Sequence, residues 1–351
     1  MGSTVLSTPA GHNRRDLPHR RRFDNTGDRD AGWADGPSNQ VHRATGGTER
    51  PAERSDRVSA ETLTGVVLDH VAHAVRRWQD VWPRYAVDLG AEWESGGPGP
   101  GFAPGQLRFA NGARVEVLMP HDVHVNDFLD RFLTASGPGP HHLTFKVPDL
   151  ASALEAARRV GLDPIGIDLS DPGWLEAFIH PKQATGVVVQ LAQATNSWSS
   201  PPPDDYPTER RRRRHGSGPV PAAALHRVTH AVADLGAATD LFVDLLGGTV
   251  VDERRHAGHR WADVAWGGPL GLRLVAPVDP SEPSSLVHWL GGRTGRVHHL
   301  GLAVEEPEGL PDAGPVASDA GSPPGVEGDP GGSWVIEPEA NHGMRLVLNA
   351  T

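Results

Sequence analysis

The stretch GPGPHHLTFKVPDL, Gly137 to Leu150, decides how the rest of the chain is read. Two Gly-Pro pairs make a tight turn, and behind them apolar and polar residues alternate. Side chains on a strand point to opposite faces in turn, so Leu143, Phe145 and Val147 share one face while His142, Thr144 and Lys146 share the other. The first face needs a core, and the second can line a cavity. Pro148 stops the strand and Asp149 caps a helix in which Leu154, Ala157 and Val160 recur on one side until Gly161 ends it. A strand feeds a helix that packs back onto its sheet.

Outward from this stretch the pattern repeats. GVVLDHVAHAV from Gly65 reads as a strand with Val71, His73 and Val75 on one face and His70, Ala72 and Ala74 on the other. A helical segment over Trp78 to Leu89, a Gly/Pro loop at Gly96 to Gly101 and strands at Gln106 to Phe109 and Ala113 to Met119 follow. In the last of these Val115, Val117 and Met119 face the core and Glu116 faces the cavity. NDFLDRFL, between His121 and Ser136, is a linking amphipathic helix. The second unit runs through the opening strand and helix, Asp163 to Asp168, Trp174 to His180, and TGVVVQLAQ, where Val187, Val189 and Leu191 face the core and Gln190 the cavity. LDHVAHAV thus answers PHHLTFKV at a spacing of about 70 residues, an internal repeat of a βαβββ unit.

The repeat starts twice more, with LHRVTHAVADL from Leu225, GLRLVAP from Gly271, VHHLGLAV from Val297 and HGMRLVLNA from His342. The expected fold class is therefore α+β, tandem βαβββ units forming two modules, each a curved mixed sheet around a cavity. The organisation read from the chain is a disordered tail over 1–62, a first module over 63–195, a Pro/Arg-rich linker over 196–222 and a second, degenerate module over 223–351. Arg210 to Arg214 are read as a solvated run within the linker. Glu305 to Gly331, crowded with Pro and Gly, is expected to be a long loop.

A formal charge of -11 argues against a general nucleic-acid binder. No stretch has the apolar length of a membrane span and the start lacks a hydrophobic signal region, so a soluble, cytoplasmic protein is expected. With no cysteine, a bound metal must be held by nitrogen and oxygen.

Four cavity-side positions stand at equivalent points of the first module: His70 and Glu116 in one unit, His142 and Gln190 in the other. Two imidazoles, a carboxylate and an amide oxygen suit a divalent ion such as Zn, Co, Ni, Mn or Fe. His73 and His141 fall on the opposite face by parity and read as structural. Lys146 points into the cavity and suits a substrate carboxylate or phosphate; His180 and Lys182 are placed at its mouth. In the second module the equivalent points carry Arg227, Arg273, His299 and Val347, which cannot hold an ion. The arginines there suit an anion, or pair with local acids such as Asp252 or Glu253.

At LDHVAHAV, RVEVLMP, GPGPHHLTFKVPDL and EAFIHPKQATGVVVQLAQ the chain resembles the vicinal oxygen chelate superfamily, which includes glyoxalases, bleomycin resistance proteins, methylmalonyl-CoA epimerases and extradiol dioxygenases. The resemblance is greatest to epimerase-like and glyoxalase-like members, covers both modules, and puts His70, Glu116, His142 and Gln190 on the family's metal positions. Glutamate is common at the last of these, where this chain has Gln190. The resemblance implies a metal-dependent epimerase, isomerase or glyoxalase-like lyase, in which a divalent ion (Co, Ni, Mn or Zn) chelates two neighbouring substrate oxygens and holds the enolate left when the adjacent proton departs. It also implies that Glu116 leaves the metal and accepts that proton; Glu92 and Glu94, near an expected strand, are other candidates by their position. Two alternatives stay open: a non-haem iron dioxygenase, and a metal-free protein that sequesters a drug or small metabolite. The expected partner is a small-molecule substrate, with the modules pairing within one chain or across a homodimer.

Overall fold

In the computed structural model, residues 62–195, 198–214, 217–256, 258–316 and 333–351 are described. The expected tail, apart from Thr62, and residues 317–331 of the expected long loop lie outside them. The first module contains β1 (Val67–Ala74), β2 (Glu92–Gly96), β3 (Gly101–Arg108), β4 (Arg114–His121), helix α1 (Phe128–Ser136), β5 (Gly139–Lys146), helix α2 (Leu150–Arg159), β6 (Ile165–Asp171), β7 (Trp174–Ile179) and β8 (Val188–Ala194). The second contains β9 (Ala224–Val232), α3 (Leu235–Thr239), β10 (Thr249–His256), β11 (His259–Ala265), β12 (Gly271–Pro277), α4 (Ser285–Leu290), β13 (Gly295–Val304), β14 (Gly314–Pro315), β15 (Ser333–Ile336) and β16 (Leu346–Ala350).

Each module forms one 8-stranded mixed sheet, in the order β2-β3-β4-β1-β5-β8-β7-β6 and, in the second, β10-β11-β12-β9-β13-β16-β15-β14. Both sheets follow from the repeat. Within a unit the first strand runs parallel to the last, as in β1 with β4 and β5 with β8, and a parallel pair needs a crossover. The segments Trp78–Asp80 and Pro83–Asp88 supply it in the first unit and α2 in the second. The two units join where β1 and β5 run antiparallel. The two sheets are tandem modules of an α+β fold, and the first sheet curls into a half-barrel.

Asp149 caps α2 as its position suggests, accepting the Ser152 amide at 2.7 Å. Leu154 and Ala157 are buried, but Val160 is 40% exposed because the helix stops at Arg159 and the chain turns before the third apolar position reaches the sheet. The core is shared: Val71, Val115, Leu143, Phe145 and Leu191 belong to one apolar cluster with Val228, Phe242, Leu272, Leu300 and Leu346. Phe145 of the first module packs 5.0 Å from Trp266 and 5.9 Å from Phe242 of the second. Each large side chain so buried contributes about 1.5–3 kcal/mol, so the modules stabilise each other.

The contact between them is reciprocal. His73 of β1 donates from Nε2 to the carbonyl of His342 at 2.8 Å, and the equivalent His230 of β9 donates to the carbonyl of Thr185 at 2.9 Å. Both acceptors belong to left-handed turns, with φ of 47° at His342 and 52° at Thr185. Burial lowers the pKa of His73 to about 4 and of His230 to about 4, outweighing the carbonyl bonds that raise them. Because each folded-state value lies below that of the unfolded chain, unfolded protein binds more protons between about pH 6.5 and 4. Stability is therefore full above this window and declines as pH falls through it. These two histidines alone should contribute a slope approaching ~3 kcal/mol per pH unit, measurable in urea melts at pH 7, 5.5 and 4.5. Replacing either with glutamine should make the decline shallower, and an unchanged slope in both variants would remove this account.

The linker is not merely solvated where it is described. Tyr206 donates to the Ala91 carbonyl at 2.9 Å and packs between Trp82 and Trp93. Arg210 pairs with Glu92 of the first module at 2.6 Å, while Arg211 donates to the carbonyls of Glu305 and Glu306 of the second. Arg213 also pairs with Glu305. The basic run thus clasps both modules, because acids from each converge on it. Among the described residues no helix is long and apolar enough to cross a membrane.

Candidate functional site

Two irregularities in the β1–β5 ladder shape the open face of the first sheet. Leu68 stands opposite Phe145 and His70 opposite Thr144, so Asp69 is an extra residue in β1. Val71 stands opposite Leu143 and His73 opposite Pro140, so β5 carries an extra residue at His141–His142. A bulge breaks strict alternation. Asp69 and His141, which parity assigns to the core side, therefore join His70 and His142.

His70 from β1, Glu116 from β4 and His142 from β5 come together, with one ligand atom from each lying within 4.8 Å of the others. Glu116 Oε2 stands 3.6 Å from His70 Nε2 and 3.5 Å from His142 Nε2. Ligand atoms about 2.0–2.2 Å from a tetrahedral ion stand about 3.3 Å apart, so the spacing is close to what an ion requires. The imidazoles are buried and Glu116 is 13% exposed. Gln106 of β3 steadies the far oxygen of the carboxylate, donating to Glu116 Oε1 at 3.2 Å.

Each histidine has its own supporting partner. His70 Nδ1 donates to Asp69 Oδ2 at 2.8 Å. Burial alone would lower the His70 pKa, but Glu116 and Asp69 outweigh it and raise it to about 9. Asp69 is held charged in turn: burial opposes this, but His70 and Lys146 lower its pKa well below the carboxylate range. His142 meets His141 through their Nδ1 atoms at 2.8 Å. Burial first, then His141 and His70, hold His142 neutral. Two neutral rings in this contact share one proton, and when His142 donates it, His142 Nε2 becomes a buried lone pair. That nitrogen has no hydrogen-bond partner and faces Glu116. A divalent ion is what this donor set fits.

Gln190, opposite Thr144 on β8, reaches the edge of the group. Its Oε1 accepts from Thr144 at 2.5 Å and its Nε2 donates to Glu176 Oε2 at 2.9 Å, while the Thr144 hydroxyl also meets His70 Nε2 at 2.9 Å. Lys146 lies on the expected face, but pairs with Asp69 at 2.9 Å and stands 5.9 Å from the Trp174 ring. His180 and Lys182 lie in the turn after β7, where His180 Nδ1 accepts the Lys182 amide at 3.1 Å, outside the triad. Glu94 pairs with Arg114, and Glu92 with Arg108 and Arg210, which ties both away from the histidines. Asp69, Gln106 and Glu176 escaped the sequence reading, and His141, read there as structural, instead supports His142. Only Gln106 carried a usable signal, being directly opposite Glu116 in the β3–β4 hairpin.

The second module differs in charge and in proton placement. Arg273 donates to both oxygens of Asp263, from Nε and Nη2, each at 2.6 Å, and Arg227 stands 3.7 Å from the same carboxylate. The partner is thus Asp263, directly opposite Arg273 on β11, and not Asp252 or Glu253. Arg345 donates to His298 Nε2 at 3.1 Å, His298 Nδ1 meets His299 Nδ1 at 2.8 Å, and His299 Nε2 meets Thr229 Oγ1 at 3.0 Å. This relay puts the His299 proton on Nε2, the nitrogen that His142 can leave bare.

No protein-family model matches the chain, and no curated protein matches it significantly. Among solved structures, it is similar to a hypothetical protein from Bacillus halodurans C-125, at 22% identity over 39% of this chain and 100% of that one, with a TM-score of 0.35. Methylmalonyl-CoA epimerase from Mycobacterium tuberculosis matches at 25% identity over 39% of this chain and 93% of that one, with a TM-score of 0.35. A mutant of 4-hydroxymandelate synthase from Streptomyces coelicolor matches at 15% identity over 68% of this chain and 71% of that one, with a TM-score of 0.49.

Proposed function

We propose that this chain of vicinal oxygen chelate fold is a metal-dependent enzyme that removes a proton next to a substrate carbonyl, acting as an epimerase, isomerase or glyoxalase-like lyase. The observation that carries the reading is the convergence of His70 and His142 on one oxygen of Glu116, with His142 Nε2 buried and unpartnered. In the proposal these three hold the ion, and Gln190 becomes the fourth ligand once its oxygen is released from Thr144. A divalent ion held there would supply a fixed positive centre for two neighbouring substrate oxygens and acidify the adjacent C–H.

The chain's own groups do the rest. Glu116 would give up its place as a ligand to accept the proton, while Gln106 keeps Oε1 in place. Asp69 and His141 orient the two imidazoles from behind. Phe178, 6.4 Å from the His142 ring, helps exclude water. Lys146 is the proposed contact for a substrate carboxylate or phosphate, with His180 and Lys182 farther out at the mouth. Asp69→Asn is expected to weaken metal affinity about 10- to 100-fold, measured by competition with a chromophoric chelator. Unchanged affinity would show that Asp69 does not orient His70.

A second reading has its own support. With Gln190 bonded to Thr144 and Glu176, the remaining set is two histidines and one carboxylate, which also suits non-haem iron. Metal analysis of protein purified without chelators or affinity metals separates the two. Co, Ni, Mn or Zn with solvent deuterium exchange next to the carbonyl of a thioester or hemithioacetal supports the first reading, and iron with oxygen uptake supports the second. Protein that neither carries nor takes up metal would sink both and leave sequestration of a small molecule.

A further inference from the structure

We propose that the open face of the second sheet binds the carboxylate or phosphate group of a small molecule, gripped by Arg227. The residues there replace those of the first site one for one. Arg227 stands opposite Gly271 as His70 stands opposite Arg114, Arg273 and Asp263 face each other as Glu116 and Gln106 do, and Gly301 lies opposite Val347 as Thr144 lies opposite Gln190. Two guanidiniums now stand where an imidazole and a carboxylate stood, so the ligand class changes from cation to anion.

The charge balance is uneven. Asp263 neutralises Arg273 through two bonds of 2.6 Å, and it is the same carboxylate that Arg227 faces. Arg227 reaches it only at 3.7 Å, beyond hydrogen-bond distance, and its buried Nε has no partner. Its side chain is 27% exposed, so a solute has access to it. Burial, followed by Arg273, lowers the Arg227 pKa to about 10 in spite of Asp263, which is the behaviour of an under-compensated cation.

Local shape agrees. The Thr144 hydroxyl closes on His70 Nε2 at 2.9 Å, but Gly301 has no side chain, and a Cβ built there would lie 3.9 Å from Arg227 Nε. Gly301 therefore sets no hydroxyl against the unpartnered donor, where Thr144 sets one against His70. Trp261, whose ring lies 5.4 Å from the Arg273 guanidinium, adds a second buried donor without a partner. Nε and Nη of one guanidinium form the fork that matches a carboxylate or phosphate edge.

The test is calorimetric titration of the full chain with inorganic phosphate and, separately, with malonate, which tells phosphate from carboxylate. The same titrations on His142→Ala exclude binding through the proposed metal site, so this inference and the proposed function fail separately. At least one anion is expected to bind the parent and His142→Ala alike, and to lose about tenfold or more in affinity in Arg227→Gln. The melting temperature of Arg227→Gln without anion should match the parent. Should that variant fold poorly, Arg227→Lys keeps the charge and removes the fork, and is expected to weaken binding in the same direction. No binding of either anion to the parent, or equal binding to the Arg227 variants, overturns the proposal.

Discussion

Glu116→Ala is expected to bring metal content from about one ion per chain to below about 0.1, and to lower turnover by at least about 10³-fold. Glu116 is the one carboxylate among the proposed ligands, and its Oε2 faces both imidazoles within 3.6 Å. Its removal would leave the ion two neutral nitrogens and an amide, a much weaker set for a divalent cation. Folding should survive, because Glu116 is bonded at the edge of the site while Val115 and Val117 on either side hold β4 in the core. Glu94→Ala is the control: that carboxylate pairs with Arg114, and its loss should spare the metal. Full metal occupancy in Glu116→Ala, measured by elemental analysis after gel filtration, would end the proposed site.

The second large effect concerns the joint between the modules. Gly186→Ala is expected to destabilise the chain by more than about 3 kcal/mol, lowering the melting temperature by roughly 10 °C. Gly186 has φ of 86°, and a Cβ there would sit 2.1 Å from the carbonyl oxygen of Gly295 in the other module. The equivalent Gly343 has φ of 84° and would place a Cβ 1.9 Å from the carbonyl oxygen of Pro138. Gly112 separates the two contributions: its φ is also 86°, but nothing lies within 4 Å of a built Cβ. Gly112→Ala should therefore cost only the backbone term, about 1 kcal/mol. If both substitutions cost the same, the backbone contact between modules carries no weight in stability.

Parity along β1, β4, β5 and β8 was enough to nominate His70, Glu116, His142 and Gln190, and the first three converge. Parity also misled at two places for one reason. A bulge adds a residue to one strand and not to its neighbour, so Asp69 and His141 change sides without any change in the local alternation. Gln190 illustrates another limit: its face is legible, but whether its oxygen is free depends on Thr144 of β5 and Glu176 of β7, which only the folded sheet brings near. The arginines of the second module were legible as misfits to a metal site. Their partner Asp263 was not, because it depends on the β11–β12 register.

By itself the sequence determined the four-fold repeat, the α+β architecture and the face of each polar side chain wherever strands alternate regularly, because these follow from the period of the backbone. Tertiary structure alone decided the rest. The bulges, the proton relays through paired histidines and the exchange of His73 and His230 between modules arise from how neighbouring strands register. Registration is a balance of distant contacts, and the local pattern of residues does not contain it.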